Sequence, residues 1–175
     1  MALSKIDAVN FLTGTIPQGN VANASLDAVT ALPAAIATGK VLQCITATDD
    51  TVRNTSSTSF VTASNTLSVD ITPSATSSKI FVIASTVLRM DNHGAQGYIT
   101  IYKDSTNLGN AAGLGNTYSD SGGALWTPSA ISVLDSPSST SELTYQVYFR
   151  TGNGSILARI QQDSRGTITV MEIAG

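Results

Sequence analysis

Charge is what this chain has least of. Only 12% of its 175 residues are charged, about half the share usual in soluble domains. The nine Lys and Arg residues are scattered, and the formal net charge is −3. Sequence-independent nucleic-acid binding needs several phosphate-neutralising cations on one surface, so nucleic acid is not an expected partner. There is one cysteine, Cys44, which excludes an intrachain disulfide. There is one histidine, His93, and no second one to share a metal with it. Long apolar runs are missing too. The most apolar stretch, residues 80–88, is interrupted by Ser85 and Thr86, which suits a buried strand and is too short to cross a bilayer. Residues 1–12 lack the basic region and apolar core of a secretory signal. Neither a phosphate-cradling Gly loop ending in Lys-Ser/Thr nor a dinucleotide fingerprint occurs.

Serine and threonine are abundant, numbering 45 together. A weakly charged chain rich in Thr, Val and Ile favours β-structure. It also suits an obligate oligomer, whose subunit contacts cover surface that would otherwise need charge for solubility.

The first 39 residues differ from the rest. Ser4 can cap a short helix carrying Ile6, Val9 and Leu12, with Gly14 past its end. Leu26, Val29, Leu32 and Ile36 then recur every three or four residues between Ser25 and Gly39, and Pro33 interrupts them. So narrow a stripe cannot bury itself within one chain and must pack on a knob, on symmetry mates or on another protein.

From Val41 the pattern has period two. It predicts about nine strands, over 41–47, 59–63, 66–71, 79–88, 98–103, 130–134, 142–151, 155–161 and 167–173. Asn153-Gly154 between two of these reads as a tight hairpin with both central residues at positive φ. The turns at 104–107 and 163–166 are further candidates, and Pro73 and Pro137 fall in Ser/Thr loops. Residues 107–128 are Gly-rich and weakly patterned, and predict a long loop with at most one irregular strand. The expected class is all-β, a jelly roll or β-sandwich over residues 40–175.

Few residues suggest chemistry. Asp120-Ser121-Gly122-Gly123 is similar to the nucleophile segment of trypsin-like proteases, but the surroundings of His93 do not fit, and a flexible loop is expected. Asp91, Asn92 and His93 could each donate to a metal, as could Asp49 and Asp50, yet both sites read as solvated turns. Cys44 is expected to be a small buried residue. Tyr118 and Trp126 flank the Gly-rich segment, where an exposed aromatic could stack on a sugar or anchor a subunit contact. Tyr98, Tyr102, Tyr145, Tyr148 and Phe149 are expected in the core or an interface.

Several phrases carry a resemblance: Val41-Leu42-Gln43, the run 72–80, Ile99-Thr100-Ile101-Tyr102-Lys103-Asp104, Leu134-Asp135-Ser136-Pro137, Leu143-Thr144-Tyr145-Gln146-Val147-Tyr148, and the ending 166–175. Together they resemble C-terminal knob domains of bacteriophage tail-fibre and other virion proteins, many from marine and cyanobacterial hosts. The resemblance implies a homotrimeric jelly-roll knob of the tumour-necrosis-factor-like or complement-head-like kind. It implies a non-enzymatic virion component made in the host cytoplasm, without cofactor, metal or membrane insertion. Residues 1–39, with Ile6, Val9, Leu12, Leu26, Val29, Leu32 and Ile36, would dock onto other virion proteins. Asn92, His93, Asn116, Tyr118 and Trp126, from the regions 93–97 and 107–126, would face a host glycan or protein. The short chain leaves no long shaft, which fits a short fibre or, as the alternative, a trimeric capsid decoration or head-fibre protein that stabilises the shell. A glycan depolymerase is the third reading, and it would need two carboxylates across a cleft from among the twelve acids.

Overall fold

The computed structural model describes residues 40–63, 66–120 and 122–175. The apolar stripe of residues 1–39 lies outside the described residues. Among the described residues, all regular structure is strand, arranged as two antiparallel six-stranded sheets. Sheet A holds β1 (Val41–Asp49), β2 (Arg53–Thr55), β5 (Lys79–Met90), β9 (Leu125–Asp135), β11 (Ala158–Ile160) and β12 (Gly166–Ile173). Sheet B holds β3 (Val61–Thr62), β4 (Ser68–Ile71), β6 (Ala95–Lys103), β7 (Thr106–Asn107), β8 (Gly115–Ser119) and β10 (Leu143–Thr151).

Short strands lie end to end, so each sheet is four ranks wide. In sheet A, β9 runs along one side of the long β5, β12 and then β11 along the other, and β1 and β2 lie outside those two. In sheet B, β10 is flanked by β6 and by β3 with β4, and β6 carries β8 and β7 on its far side.

Alternation produces this arrangement. Along β5, Ile80, Val82, Ala84, Leu88 and Met90 point inward and are buried. Along β10, Leu143, Tyr145, Val147 and Phe149 do the same from the other sheet. Ile99 and Ile101 of β6 and Ile168 and Val170 of β12 complete the layer. Each of the Val, Leu, Ile, Phe and Met side chains among them contributes about 1.5–3 kcal/mol on leaving water. Tyr145 is fully buried, and its hydroxyl donates to Asp135 Oδ2 at 2.7 Å, while Lys103 Nζ lies 2.9 Å from the same oxygen. Burial, and then that bond, push the Tyr145 hydroxyl pKa upward, so it stays a neutral donor.

Several expectations are corrected. Asn153-Gly154 is not a tight hairpin. β10 belongs to sheet B and β11 to sheet A, so the link 152–157 crosses between sheets. Neither residue has positive φ; instead Ile156 N donates to Asn153 O at 2.9 Å and Ser155 N to Asn153 Oδ1 at 3.0 Å. The 107–128 segment is not a long loop, since it contains β8 and the start of β9. Gly113 makes the turn between β7 and β8 possible, with φ of 78° and a position where a Cβ would come within 2.5 Å of Ile99 O. The turns at 104–107 and 163–166 hold, with Asp104 and Asp163 at positive φ. Asp49 ends β1 buried rather than solvated, and its Oδ1 accepts from Thr51 N at 3.0 Å.

One end of the sandwich is organised by a buried carboxylate. Glu172, in β12, has no exposed surface. Its Oε1 accepts from Ser74 N at 2.7 Å and from the hydroxyls of Ser74 and Ser78 at 2.6 Å each. Its Oε2 accepts from Gln43 Nε2 at 2.6 Å, and the same nitrogen donates to Thr72 O at 2.9 Å. Burial alone would push the carboxyl pKa up, but the donors from Ser74, Ser78 and Gln43 outweigh it and hold the group at about 2. A group depressed from its ordinary value of 4.5 stabilises the fold fully above that pH and loses the contribution as pH falls towards 2. The shift is worth about 3 kcal/mol. Denaturant unfolding of the wild type should therefore show stability falling steeply between pH 4.5 and 2. Glu172→Ala, which orphans the buried donors, should cost about 2–4 kcal/mol at pH 7 and flatten that acid limb.

Candidate functional site

The chain enters the sandwich at Lys40, whose carbonyl accepts from Ala174 N at 2.8 Å. Glu172 and the 72–78 loop lie at this end. Strand directions place the turn 91–94, the β8–β9 connection and the link 152–157 at the opposite end. Of the expected contact residues, Asn92 and His93 sit in the 91–94 turn and are exposed, with Asn92 Oδ1 2.9 Å from both His93 N and His93 Nδ1. Gly94 N donates to Ser119 O at 2.6 Å, tying this turn to the end of β8.

The other three fall on strands and on opposite faces. Asn116 and Tyr118 lie on β8 and point out of sheet B, opposite Tyr98 and Gln96. Trp126 lies on β9 and points out of sheet A, opposite Arg89, whose guanidinium sits 4.4 Å from the indole centroid. Tyr118 and Trp126 therefore flank the Gly-rich connection in sequence without forming one patch. Ser121, centre of the Asp-Ser-Gly-Gly motif, lies outside the described residues.

Asp91 is an ion-pair hub. Its carboxylate accepts from Arg159 Nε at 2.7 and 2.8 Å, lies 2.6 Å from Arg159 Nη2, and lies 3.2 Å from Arg89 Nε. Hydrogen bonding to Asp91 raises the Arg159 pKa further. Arg89 and Arg159 are cross-strand neighbours, so Asp91 holds two like charges side by side. Asp50 lies 3.8 Å from Arg165. Among the described residues, no three or more His, Cys, Asp or Glu converge as a metal site.

The two outer faces differ in chemistry. On sheet B, Arg150 sits 3.8 Å from the Tyr98 ring centroid and 5.1 Å from that of Phe60, and Tyr102 stacks on Tyr148 at 4.0 Å. Tyr145 and Phe149 are core as expected, whereas Tyr98, Tyr102 and Tyr148 belong to this half-buried outer face. On sheet A, Cys44, Met171, Phe81 and Leu134 form one row across four strands, with Thr46, Thr169, Ile83 and Ser132 in the next. Cys44 is thus exposed rather than buried, because its parity on β1 turns it away from the core. Leu134 is 54% exposed and Ile83 39%. Reading the even positions of β6 and the odd positions of β5 as outward would have found both faces. No protein-family model matches the chain, and no curated protein does.

Trp126 is the only tryptophan, so its emission reports on the Arg89–Asp91–Arg159 cluster. Asp91→Ala should shift that emission and lower stability by about 1–3 kcal/mol, as two half-buried arginines lose their shared anion. Unchanged emission and unfolding midpoint would show the hub to be energetically idle.

Proposed function

We propose that this chain is a non-enzymatic bacteriophage structural protein, a short homotrimeric fibre. Residues 1–39 anchor it to the virion and the β knob meets the host surface. The observation that carries the reading is strand order. Ranks β1/β2, β12/β11, β5, β9 facing ranks β3/β4, β10, β6, β8/β7 are the order expected of a jelly-roll knob of the tumour-necrosis-factor-like kind. The phrases that resemble phage knob domains also meet in space. Gln43, Ser74, Ser78 and Glu172, from three of those phrases, share one hydrogen-bond cluster.

The outer face of sheet A supports a self-associating chain. From Phe81 to Val87 the outward side chains of β5 and their partners on β9, β12 and β1 carry no charge. Their apolar members form a continuous patch of the kind that interfaces cover. The occupant is a second and third copy of this chain, which accounts for the low charge. Host contact then gains from threefold avidity, so each loop contact can be weak.

Light scattering of the purified chain should give three times 18.0 kDa. Ile83→Lys together with Leu134→Lys, both at exposed positions, should yield a folded monomer. A wild-type monomer would overturn the trimer. Antibody-gold labelling of intact phage particles locates the protein. Label at the tail supports the fibre, label over the head makes it a decoration protein, and particles without label remove it from the virion.

A further inference from the structure

We propose that the outer face of sheet B, around Tyr118, binds a neutral glycan. The proposal rests on the host-binding reading above and names the ligand class and the place. Tyr118 is 53% exposed at the edge strand β8. Gln96 lies directly across from it on β6, and Asn116 lies two positions away on the same face, opposite Tyr98. Two residues along a strand span about 7 Å, close to the width of one sugar ring. An exposed phenol ring offers a flat surface for the C–H face of a sugar; the Asn116 amide offers donors and an acceptor to its hydroxyls, and Gln96, whose Oε1 accepts from the Tyr98 hydroxyl, offers its amide N–H groups.

The charge on this face selects for a neutral ligand. The outward positions of β8, of β6 from Gln96 to Thr100, and of β10 from Tyr148 to Arg150 carry one charge, Arg150. That guanidinium is already committed. It lies over the Tyr98 ring and donates to Ala111 O at 3.0 Å and to Thr58 O at 3.3 Å. An anionic ligand would therefore find no free cation at these positions, and the exposed Asp120 carboxylate, two residues beyond Tyr118, would repel it. In the proposed trimer sheet A is covered, so this face is the one left in water.

The test applies the full-length chain to a panel of immobilised neutral oligosaccharides, with sialylated and phosphorylated ones beside them. Wild type should be retained by at least one neutral oligosaccharide. Tyr118→Ala should weaken that binding tenfold or more and Asn116→Ala severalfold, while Tyr118→Phe stays within about threefold because the stacking surface persists. Thr140→Ala, at an exposed position at the other end of the sandwich, should bind as wild type. Retention by none of the neutral sugars, retention by anionic sugars alone, or full binding by Tyr118→Ala would each overturn the proposal. Gold label at the tail together with no glycan retention would remove the glycan and keep the fibre; glycan retention on particles without label would do the reverse.

Discussion

The Glu172 carboxylate is the interaction on which the Lys40 end of the sandwich depends. It sits on β12, between β1 and β5, where strands from both chain halves meet. A buried charge without hydrogen bonds would cost far more than any packing around it returns. Here four donors converge on the two oxygens, and among the described residues no cation shares the site. Because two of those donors belong to Ser74, the carboxylate fixes the loop that carries the chain from β4 in sheet B to β5 in sheet A. Because another belongs to Gln43, it also fixes the start of β1. The start of β1, the end of β12 and the crossover loop are thus tied together by an anion that hydrogen bonds keep ionised.

With the core and that end fixed, the outer faces are free to diverge. Period two makes each strand carry two independent messages. The inward positions of sheets A and B are similar in character, dominated by Ile, Val, Leu and other apolar residues. The outward positions are not. Sheet A shows Phe81, Ile83, Met171 and Leu134 with hydroxyls between them, and sheet B shows tyrosines, amides and a committed arginine. Such a division is what a protein needs if one face meets copies of itself and the other meets a polar, uncharged surface.

How much of this was legible follows from the same periodicity. Long alternating runs such as 79–90 and 143–151 declare themselves, because a one-residue slip would invert every side chain. Short strands are mixed: β3, β4 and β11 fall within the expected 59–63, 66–71 and 155–161, but others have no signal of their own. β2, β7 and β8 are two to five residues long and owe their existence to neighbours, so local pattern cannot announce them. Asn153-Gly154 misleads for a related reason. Its turn propensity is real, but the strands on either side already have partners in different sheets, and tertiary pairing overrides the local preference. Residue type suggests burial for Cys44, but its parity against Gln43 and Ile45 decides its direction. Glu172 was passed over because nothing in the sequence of a lone acid at the end of an apolar strand reveals donors that come from 94 to 129 positions away.

Scarcity of charge links these levels. Of the twelve acids and nine bases, Glu172, Asp135 with Lys103, and Asp91 with its two arginines are built into the fold. These six hold the ends of the sandwich, while the outer face of sheet A from Phe81 to Val87 carries no charge and that of sheet B around Tyr118 carries the committed Arg150. A neutral face gains little long-range steering towards a charged partner, so contact must be made by shape, stacking and short hydrogen bonds. Individually such contacts are weak, and they become effective when several act together. This distribution of charge would suit the proposed assembly, in which copies pack through sheet A and leave sheet B in water.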